Sequence, residues 1–361
     1  MTRSLIVVDP NYQNGFSGFL KSAIKNGDIV VVSGKKLDGA VYARNFSNAF
    51  RRIFGRSALW TPNIFVIYRL IKKYKIAHVH VIGEPTYFSV GFVCLLKIFK
   101  FRDMLITCRT AQNCEFSIPF PFNLNLWLGR KAKVVSFPVS SISANYCKSH
   151  YRIPIAPILP NGVPSEFYET PRNDNDDNSY VLFVGHFIER KGFFDFLEVA
   201  KKNPSVSFVA IGALPTGTEL EASKMPSNLT TYAWMARERL VSMIDRSDVV
   251  LVPSKISDGR DVPLIKRLVS IPWMEQFGRI IVESYARGRR VIAYDSGAIS
   301  DLIIDASDLI PEGDTCKMSD RLLEVLSINS PYYLDGVDFS KKFKWEHVYS
   351  EFKDGVNLLN K

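Results

Sequence analysis

Glu275-Gln-Phe-Gly-Arg-Ile-Ile-Val-Glu283, continued by Ser284-Tyr-Ala-Arg-Gly-Arg-Arg-Val-Ile-Ala-Tyr-Asp-Ser-Gly297, is the stretch that decides how this chain reads. It sets two carboxylates around a Phe277-Gly278-Arg279 turn that opens a helix. On one continuous helix, eight residues span about 12 Å and rotate the second side chain by roughly 80° from the first. With Glu275 in the loop and the helix starting at Gly278 and Arg279, Glu283 lies farther along it. The N–H groups of the helix start then form an anion site between two acceptors for hydroxyl groups. The plain alternative is a pair of solvated glutamates on a surface helix.

The segment resembles the Glu-x7-Glu motif of GT-B glycosyltransferases, in particular the retaining "group 1" enzymes of glycosyltransferase family four. Phe277-Gly278-Arg279 inside the motif and the strand and turn Val291–Gly297 behind it carry the likeness. The resemblance runs along nearly the whole chain and is strongest in 180–302. It implies that Glu275 faces the transferred sugar and Glu283 the ribose of a nucleotide sugar, with Phe277, Gly278 and Arg279 binding the donor between them.

With 361 residues, the chain is too long for one ordinary core and suits two domains. Its composition, 47% hydrophobic and 23% charged, is that of a soluble globular protein. The longest apolar run, Tyr87 to Phe99, is too short to span a membrane and carries Lys97. Met1 to Asp9 reads as a buried strand and not as a signal peptide. Five cysteines without a Cys-x-x-Cys pair or zinc spacing suit a reducing cytosol. The expected location is cytoplasmic.

The net charge of +10 is unevenly spread. Residues 1–170 hold 22 Lys and Arg against 8 Asp and Glu, leaving 24 against 28 for the rest, so the first half carries +14 and the second −4. Such a split suggests a first half facing a polyanion, either nucleic acid or an anionic membrane. A merely soluble basic domain accounts for it equally well. Arg51, Arg52, Arg56, Lys72, Lys73, Lys75, Lys97, Lys100 and Arg102, interleaved with Phe50, Phe54, Trp60, Phe99 and Phe101, favour the inner face of the cytoplasmic membrane.

Apolar runs alternate with longer helical ones, the signature of a parallel α/β sheet. Strands are expected at Leu5–Val8, Ile29–Ser33, His78–Ile82, Leu105–Cys108, Val134–Phe137 and Pro157–Leu159. The polar run Thr170 to Ser179 reads as a linker. Strands resume at Val181–Gly185, Ser207–Ile211, Val249–Val252 and Val291–Tyr294. The fold class is therefore α/β, and the resemblance makes it GT-B: two Rossmann-like domains facing a central cleft. Its parts are an acceptor-binding domain at 1–170, a donor-binding domain at 179–340, and a C-terminal helix at 341–361 crossing back to the first domain. Residues 255–274 read as an extended loop with a short helix.

Gly185-His186-Phe-Ile-Glu189-Arg190-Lys191-Gly192 follows a strand, and its cations suit a departing diphosphate. It resembles the family's Gly-Arg…Lys-Gly loop, which puts Lys191 on the diphosphate. His186 stands where the family has Arg, so either His186 is protonated or Arg190 supplies the missing charge. Gly15 and Gly18, after the first strand, permit close backbone approach to a ligand, or serve a plain β–α connection. Trp234 and Met235, with Tyr232 nearby, fall where relatives line the base pocket; the two aromatics suit a core equally. On the acceptor side stand Arg109, Gln112 and Asn113 at one strand end and Glu84 at another. Relatives place a His there, and this chain has none. His78 and His80 alternate on a strand and read as satisfied core histidines. Asp174-Asn-Asp176 mimics a metal motif, but its polar surroundings make it linker.

The reading is a retaining, metal-independent hexosyltransferase with no cofactor besides its nucleoside-diphosphate-sugar co-substrate. Glu275, Lys191 and Arg190 carry the chemistry. The acceptor would be a glycan or a lipid-linked sugar in bacterial surface polysaccharide or glycolipid biosynthesis. The alternatives are a nucleotide-sugar epimerase on a similar double fold and a basic nucleic-acid-binding protein.

Overall fold

Six short runs in the first part of the chain line up as parallel strands, and all but the edge strand at 41–42 are buried on both faces. They are β1 (Ser4–Val8), β2 (Ile29–Val32), β3 (Val41–Tyr42), β4 (His78–Ile82), β5 (Leu105–Thr110) and β6 (Val135–Pro138). The sheet order is β3-β2-β1-β4-β5-β6, and every pairing is parallel. This computed structural model describes residues 3–8, 10–43, 63–114, 122–171, 179–214, 225–257, 273–328 and 332–360.

A second sheet repeats the design with β7 (Tyr180–Val184), β8 (Phe208–Ile211), β9 (Leu229–Tyr232), β10 (Ser247–Val252), β11 (Arg290–Tyr294) and β12 (Leu309–Ile310). Its order is β12-β11-β10-β7-β8-β9, again all parallel. In each sheet the strand order reverses once, between β1 and β4 and between β7 and β10. The carboxyl ends of those strands are where such sheets hold ligands.

The helices used below are α1 (Ser17–Lys25), α2 (Ile64–Tyr74), α3 (Phe88–Phe99), α4 (Phe122–Lys131), α5 (Phe193–Lys202), α6 (Arg237–Asp245), α7 (Arg279–Ala286), α8 (Thr315–Ser327) and α9 (Trp345–Leu359). In the first unit, α2, α3 and α4 cover one core with Ile67, Ile71, Val90, Val93 and Leu126. On the other, α1 and α9 pack Phe19, Trp345, Val348, Tyr349, Phe352 and Val356. The α9 positions recur every three or four residues, so the helix has one apolar face. Phe352 is fully buried against Phe19, Phe137 and His80. Truncating such a ring to alanine costs about 3–5 kcal/mol.

A buried ion pair adds a directional tie. Lys353 Nζ lies 3.1 Å from Asp28 Oδ1, and the Tyr349 hydroxyl donates to Asp28 Oδ2 at 2.6 Å. His78 and His80 are buried between these layers. Both rings lie 2.8 Å from Thr107 Oγ1, and His78 Nδ1 also meets Ser4 Oγ at 2.9 Å. Burial, with Lys353 adding to it, lowers the His78 imidazole to about 3, and burial, with His78 and Arg109 adding to it, holds His80 well below its ordinary value. Both serve the core as neutral hydrogen-bonding groups.

Several boundaries differ from those read in the sequence. The chain divides into Met1–Gly162 with Trp345–Lys361, and Val163–Lys344. The break thus falls ahead of the polar run at 170–179. Residues 163–170 stay with the second unit because side chains there hold them. Arg287 Nη1 donates to the carbonyls of Phe167 and Thr170, Arg237 pairs with Glu166 at 2.9 Å, and the Tyr168 hydroxyl donates to the Ser340 carbonyl. Lys341–Phe343 forms a 3-10 turn in the second unit, so the helix that joins the first unit begins at Trp345 and not at 341.

Pro157–Leu159 is not a strand. Prolines at 154, 157 and 160 remove backbone donors, leaving Ala156 and Leu159 to bond singly to Ser136 and Pro138. Val41–Tyr42, Leu229–Tyr232 and Leu309–Ile310 are strands that the apolar pattern did not reveal. Two of them are too short to show a period, and Leu229–Tyr232 lies at the sheet edge, largely exposed. Asp174, Asp176 and most of the loop at 255–274 lie outside the described residues.

Candidate active site

Two loops meet at the switch point of the second sheet, one after β7 and one after β10. The first, 185–192, ends in a 3-10 turn at Glu189–Lys191. The second begins at Pro253 and carries Ser254, Trp273 and Glu275. Ion pairs hold the turn: Lys255 Nζ reaches Asp195 Oδ1 at 2.8 Å and Glu189 as well, while the Tyr294 hydroxyl donates to Asp195 Oδ2 at 2.9 Å. The Lys255 amide also donates to the Arg190 carbonyl at 3.0 Å.

Lys191 Nζ lies 2.6 Å from Glu275 Oε2, and Ser254 Oγ reaches the same oxygen at 3.4 Å. Lys191 Nζ also sits 4.5 Å from the centre of the Trp273 ring, and the Arg190 guanidinium sits 5.1 Å from it. One indole therefore holds both cations of the loop. His186 is placed elsewhere. It is exposed, and its ring meets Trp234 edge-on at 5.4 Å.

Glu275 is fixed through its backbone. Ala298 N donates to the Glu275 carbonyl at 2.9 Å. Gly297 has φ of +60°, and a Cβ there would stand 2.4 Å from that carbonyl oxygen. The Asp295-Ser296-Gly297 turn thus admits only glycine beside Glu275. Gly278, at φ +76°, ends the loop and caps α7 without a side-chain acceptor for its first-turn N–H groups. Arg279 follows it, exposed. Phe277 points the other way, buried against Phe343 at 5.7 Å, and so anchors the turn as a core residue, with no side-chain face left for a donor. Glu283, half-buried on α7, has its carboxyl raised by desolvation, with Arg279 and Arg237 opposing.

Trp234 and Tyr232 are exposed, so neither is a core aromatic; Met235 is half-buried. Gly185 is buried at the end of β7. Gly15 has a backbone that any residue could adopt and only ordinary contacts, while a Cβ at Gly18 would strike the Trp345 indole at 2.0 Å. Gly18 therefore serves the packing of α1 on α9, and nothing at Gly15 calls for glycine.

In the first unit, Glu84 follows β4 and is buried. Its Oε1 accepts from the amides of Ala111 and Gln112 at 2.7 and 3.1 Å, and the Tyr151 hydroxyl reaches Oε2 at 3.4 Å. Its carboxylate is thus spent on holding the loop after β5, which corrects the expectation that it reaches a ligand. Gln112 bonds the Cys114 carbonyl, and Asn113 is buried beside Cys114. Arg109, also buried, donates to Asn161 Oδ1 at 2.9 Å and lies 4.8 Å from the Phe16 ring centre. Its Nη1 has no hydrogen-bond partner among the described residues. Desolvation lowers the guanidinium to about 10, with Glu84 opposing, so it stays cationic.

Trp273, Ser254 and the Lys255–Asp195 pair were not singled out in the sequence. The available signals were Pro253-Ser254 directly after a strand and a Trp two residues before Glu275. Among the described residues no group of three or more His, Cys, Asp or Glu stands together.

Residues 165–335 match the model of the family described as glycosyl transferases group 1. An uncharacterized glycosyltransferase of Methanocaldococcus jannaschii is 27% identical over 212 residues, 55% of this chain and 54% of that protein. An uncharacterized 42.6 kDa protein in the cps region of Klebsiella pneumoniae is 24% identical over 121 residues, 33% of this chain and 27% of that protein. The matches thus span about half the length of the first of these relatives and about a quarter of the second. Among solved structures, a glycosyltransferase from Rickettsia africae superposes with a TM-score of 0.71 at 14% identity, covering 99% of both chains. Anabaena HepE in complex with UDP gives 0.68 at 11% identity, covering 99% of this chain and 100% of that one. The chain has the GT-B fold, and its residues 165–335 resemble the group 1 glycosyltransferases whose family model they match.

Proposed function

We propose that the protein is a retaining glycosyltransferase that uses a nucleoside-diphosphate sugar. The observation that carries this reading is the Lys191–Glu275 pair at the switch point of the second sheet, inside the stretch that matches the group 1 family model. A diphosphate needs cations as it leaves, and Lys191 with Arg190 supplies them beside the start of α7. Glu275 then holds sugar hydroxyls, and Glu283 the ribose. The departing phosphate oxygen takes the acceptor's proton as the acceptor attacks from the same face. No base is then required of the chain, which suits an acceptor side without a histidine.

Arg109 is our candidate for acceptor contact, since it is a buried cation whose Nη1 has no hydrogen-bond partner among the described residues. The second cation of the loop is assigned to Arg190, because it shares an indole with Lys191 while His186 does not. HepE has been solved with UDP-glucose, which supports a donor of that class for the shared fold. The acceptor, in this reading, is a glycan or lipid-linked sugar on the cytoplasmic side, in surface polysaccharide or glycolipid assembly. Thermal shift with a panel of nucleotide sugars tests the proposal, because a bound donor raises the melting temperature by mass action. One sugar nucleotide should do so more than its free sugar; indifference to the whole panel would remove the reading.

A further inference from the structure

We infer that the end of the first unit formed by the carboxyl ends of α2, α3 and α4 docks on an anionic membrane surface. These helices run side by side, linked by the Tyr68–Phe101 and Phe88–Phe122 ring contacts at 5.8 and 5.9 Å. Each leads within a few residues into a parallel strand, α2 into β4, α3 into β5 and α4 into β6. Their last turns therefore all lie at the amino edge of the sheet.

That edge is basic. It gathers Lys72 and Lys73 from α2 with Lys75 just after it, Lys100 and Arg102 after α3 with Asp103 beside them, and Arg130 and Lys131 from α4 with Lys133 just after it, all exposed. None of the three helices contains an aspartate or glutamate. One or two cations per last turn would answer the helix dipole. The absence of any acid along three neighbouring helices goes beyond that need.

Apolar rings stand among these charges. Phe99, the last residue of α3, is 79% exposed, and Trp127 on α4 is 51% exposed with Lys131 over its ring at 5.1 Å. Tyr74 closes α2, also exposed. Cations with exposed aromatic rings fit the headgroup layer, where the charges meet anionic lipid and the rings enter the interface. No helix among the described residues is long and apolar enough to cross a membrane, so contact here is with the surface. Arg51, Arg52, Arg56, Phe50, Phe54 and Trp60 lie outside the described residues.

The docking edge is opposite the carboxyl edge of the same sheet, about 17 Å away along a five-residue strand. Docking and donor chemistry are therefore separable, and the inference does not rest on the proposed activity. The test is co-sedimentation of the full chain, without donor, with phosphatidylcholine vesicles that contain or lack phosphatidylglycerol. The protein should pellet with the anionic vesicles at about 50 mM salt, stay in solution with neutral ones, and release at about 500 mM. A basic residue near such a surface is worth about fivefold in partitioning, so K72E/K73E/K100E should lose at least a hundredfold. F99S/W127S, which keeps every charge, should bind several-fold more weakly than the wild type. Both variants should melt as the wild type does. Equal binding to neutral and anionic vesicles, no binding to either, or unchanged binding by folded K72E/K73E/K100E would overturn the inference. So would retention of a single-stranded oligonucleotide at 150 mM salt without vesicle binding, which would make the edge a nucleic-acid site.

Discussion

Lys191 and Glu275 neutralise each other across 2.6 Å, although one is assigned to phosphate and the other to sugar. Donor binding must then exchange the carboxylate partner of Lys191 for a phosphate and release Glu275. The two variants should consequently differ in sign. Glu275→Gln frees the lysine, and free nucleoside diphosphate should bind about two- to fivefold more tightly, the worth of a partly exposed ion pair. Lys191→Ala should weaken it by about tenfold or more. Calorimetry with the diphosphate decides, and equal weakening by both would contradict the exchange.

Arg190 and Lys191 share the Trp273 ring, so the three should act together on the diphosphate. Arg190→Ala should cost about tenfold in affinity, the loss of one charge-assisted hydrogen bond. Trp273→Leu should cost about threefold, since each cation–π contact contributes ~0.5–1 kcal/mol and the cations themselves remain. His186→Ala should do less than either. A larger loss at His186 than at Arg190 would restore the histidine as the phosphate ligand.

Glu84 gives stability a pH dependence of known sign. Burial raises its carboxyl from 4.5 to about 7, against the amides of Ala111 and Gln112. Between those values the folded chain binds the proton more tightly than the unfolded chain, so this group's contribution falls as pH rises. The loss reaches up to about 3 kcal/mol and saturates above pH 7. Both amides donate to the same oxygen, which an amide side chain can replace. Glu84→Gln should therefore melt higher than the wild type at pH 8, by a margin that shrinks towards pH 5. A margin constant with pH, read from melting curves, would show that Glu84 is ionised throughout.

The cations and the helix start are assigned the role that a divalent ion has in other transferases. Chelation with EDTA should leave turnover unchanged. A lasting loss repaired by Mg²⁺ or Mn²⁺ would require a metal that Lys191 and Arg190 do not replace.

Most strands were legible because parallel strands buried on both faces read as apolar runs; His78–Ile82 was placed at its observed ends. Val41–Tyr42 and Leu309–Ile310 were not, since two residues cannot show a period. The domain break was misplaced because a polar run signals a loop, whereas the division depends on Arg287 reaching the Phe167 and Thr170 carbonyls from far along the chain. At the site, the Phe277-Gly278-Arg279 turn put Glu275 before the helix and Glu283 along it. Spacing could not distinguish a glycine that packs, Gly18 under Trp345, from one that admits a ligand. Nor could it show Phe277 buried or Glu84 spent on backbone amides, because those depend on contacts made by the fold. The proposal of Arg190 over His186 rests on the position of Trp273, which no local pattern encodes.

The most direct measurement is turnover of the accepted nucleotide sugar by wild type and Glu275→Gln, followed as release of nucleoside diphosphate by phosphorus NMR. An amide cannot supply the negative charge that steadies the sugar as it becomes cationic, and losing one such interaction costs ~1.5–3 kcal/mol. The account predicts a folded variant that binds the diphosphate yet turns over ten- to about a hundredfold more slowly. Wild-type turnover by Glu275→Gln, or no release from any donor by the wild type, would contradict it.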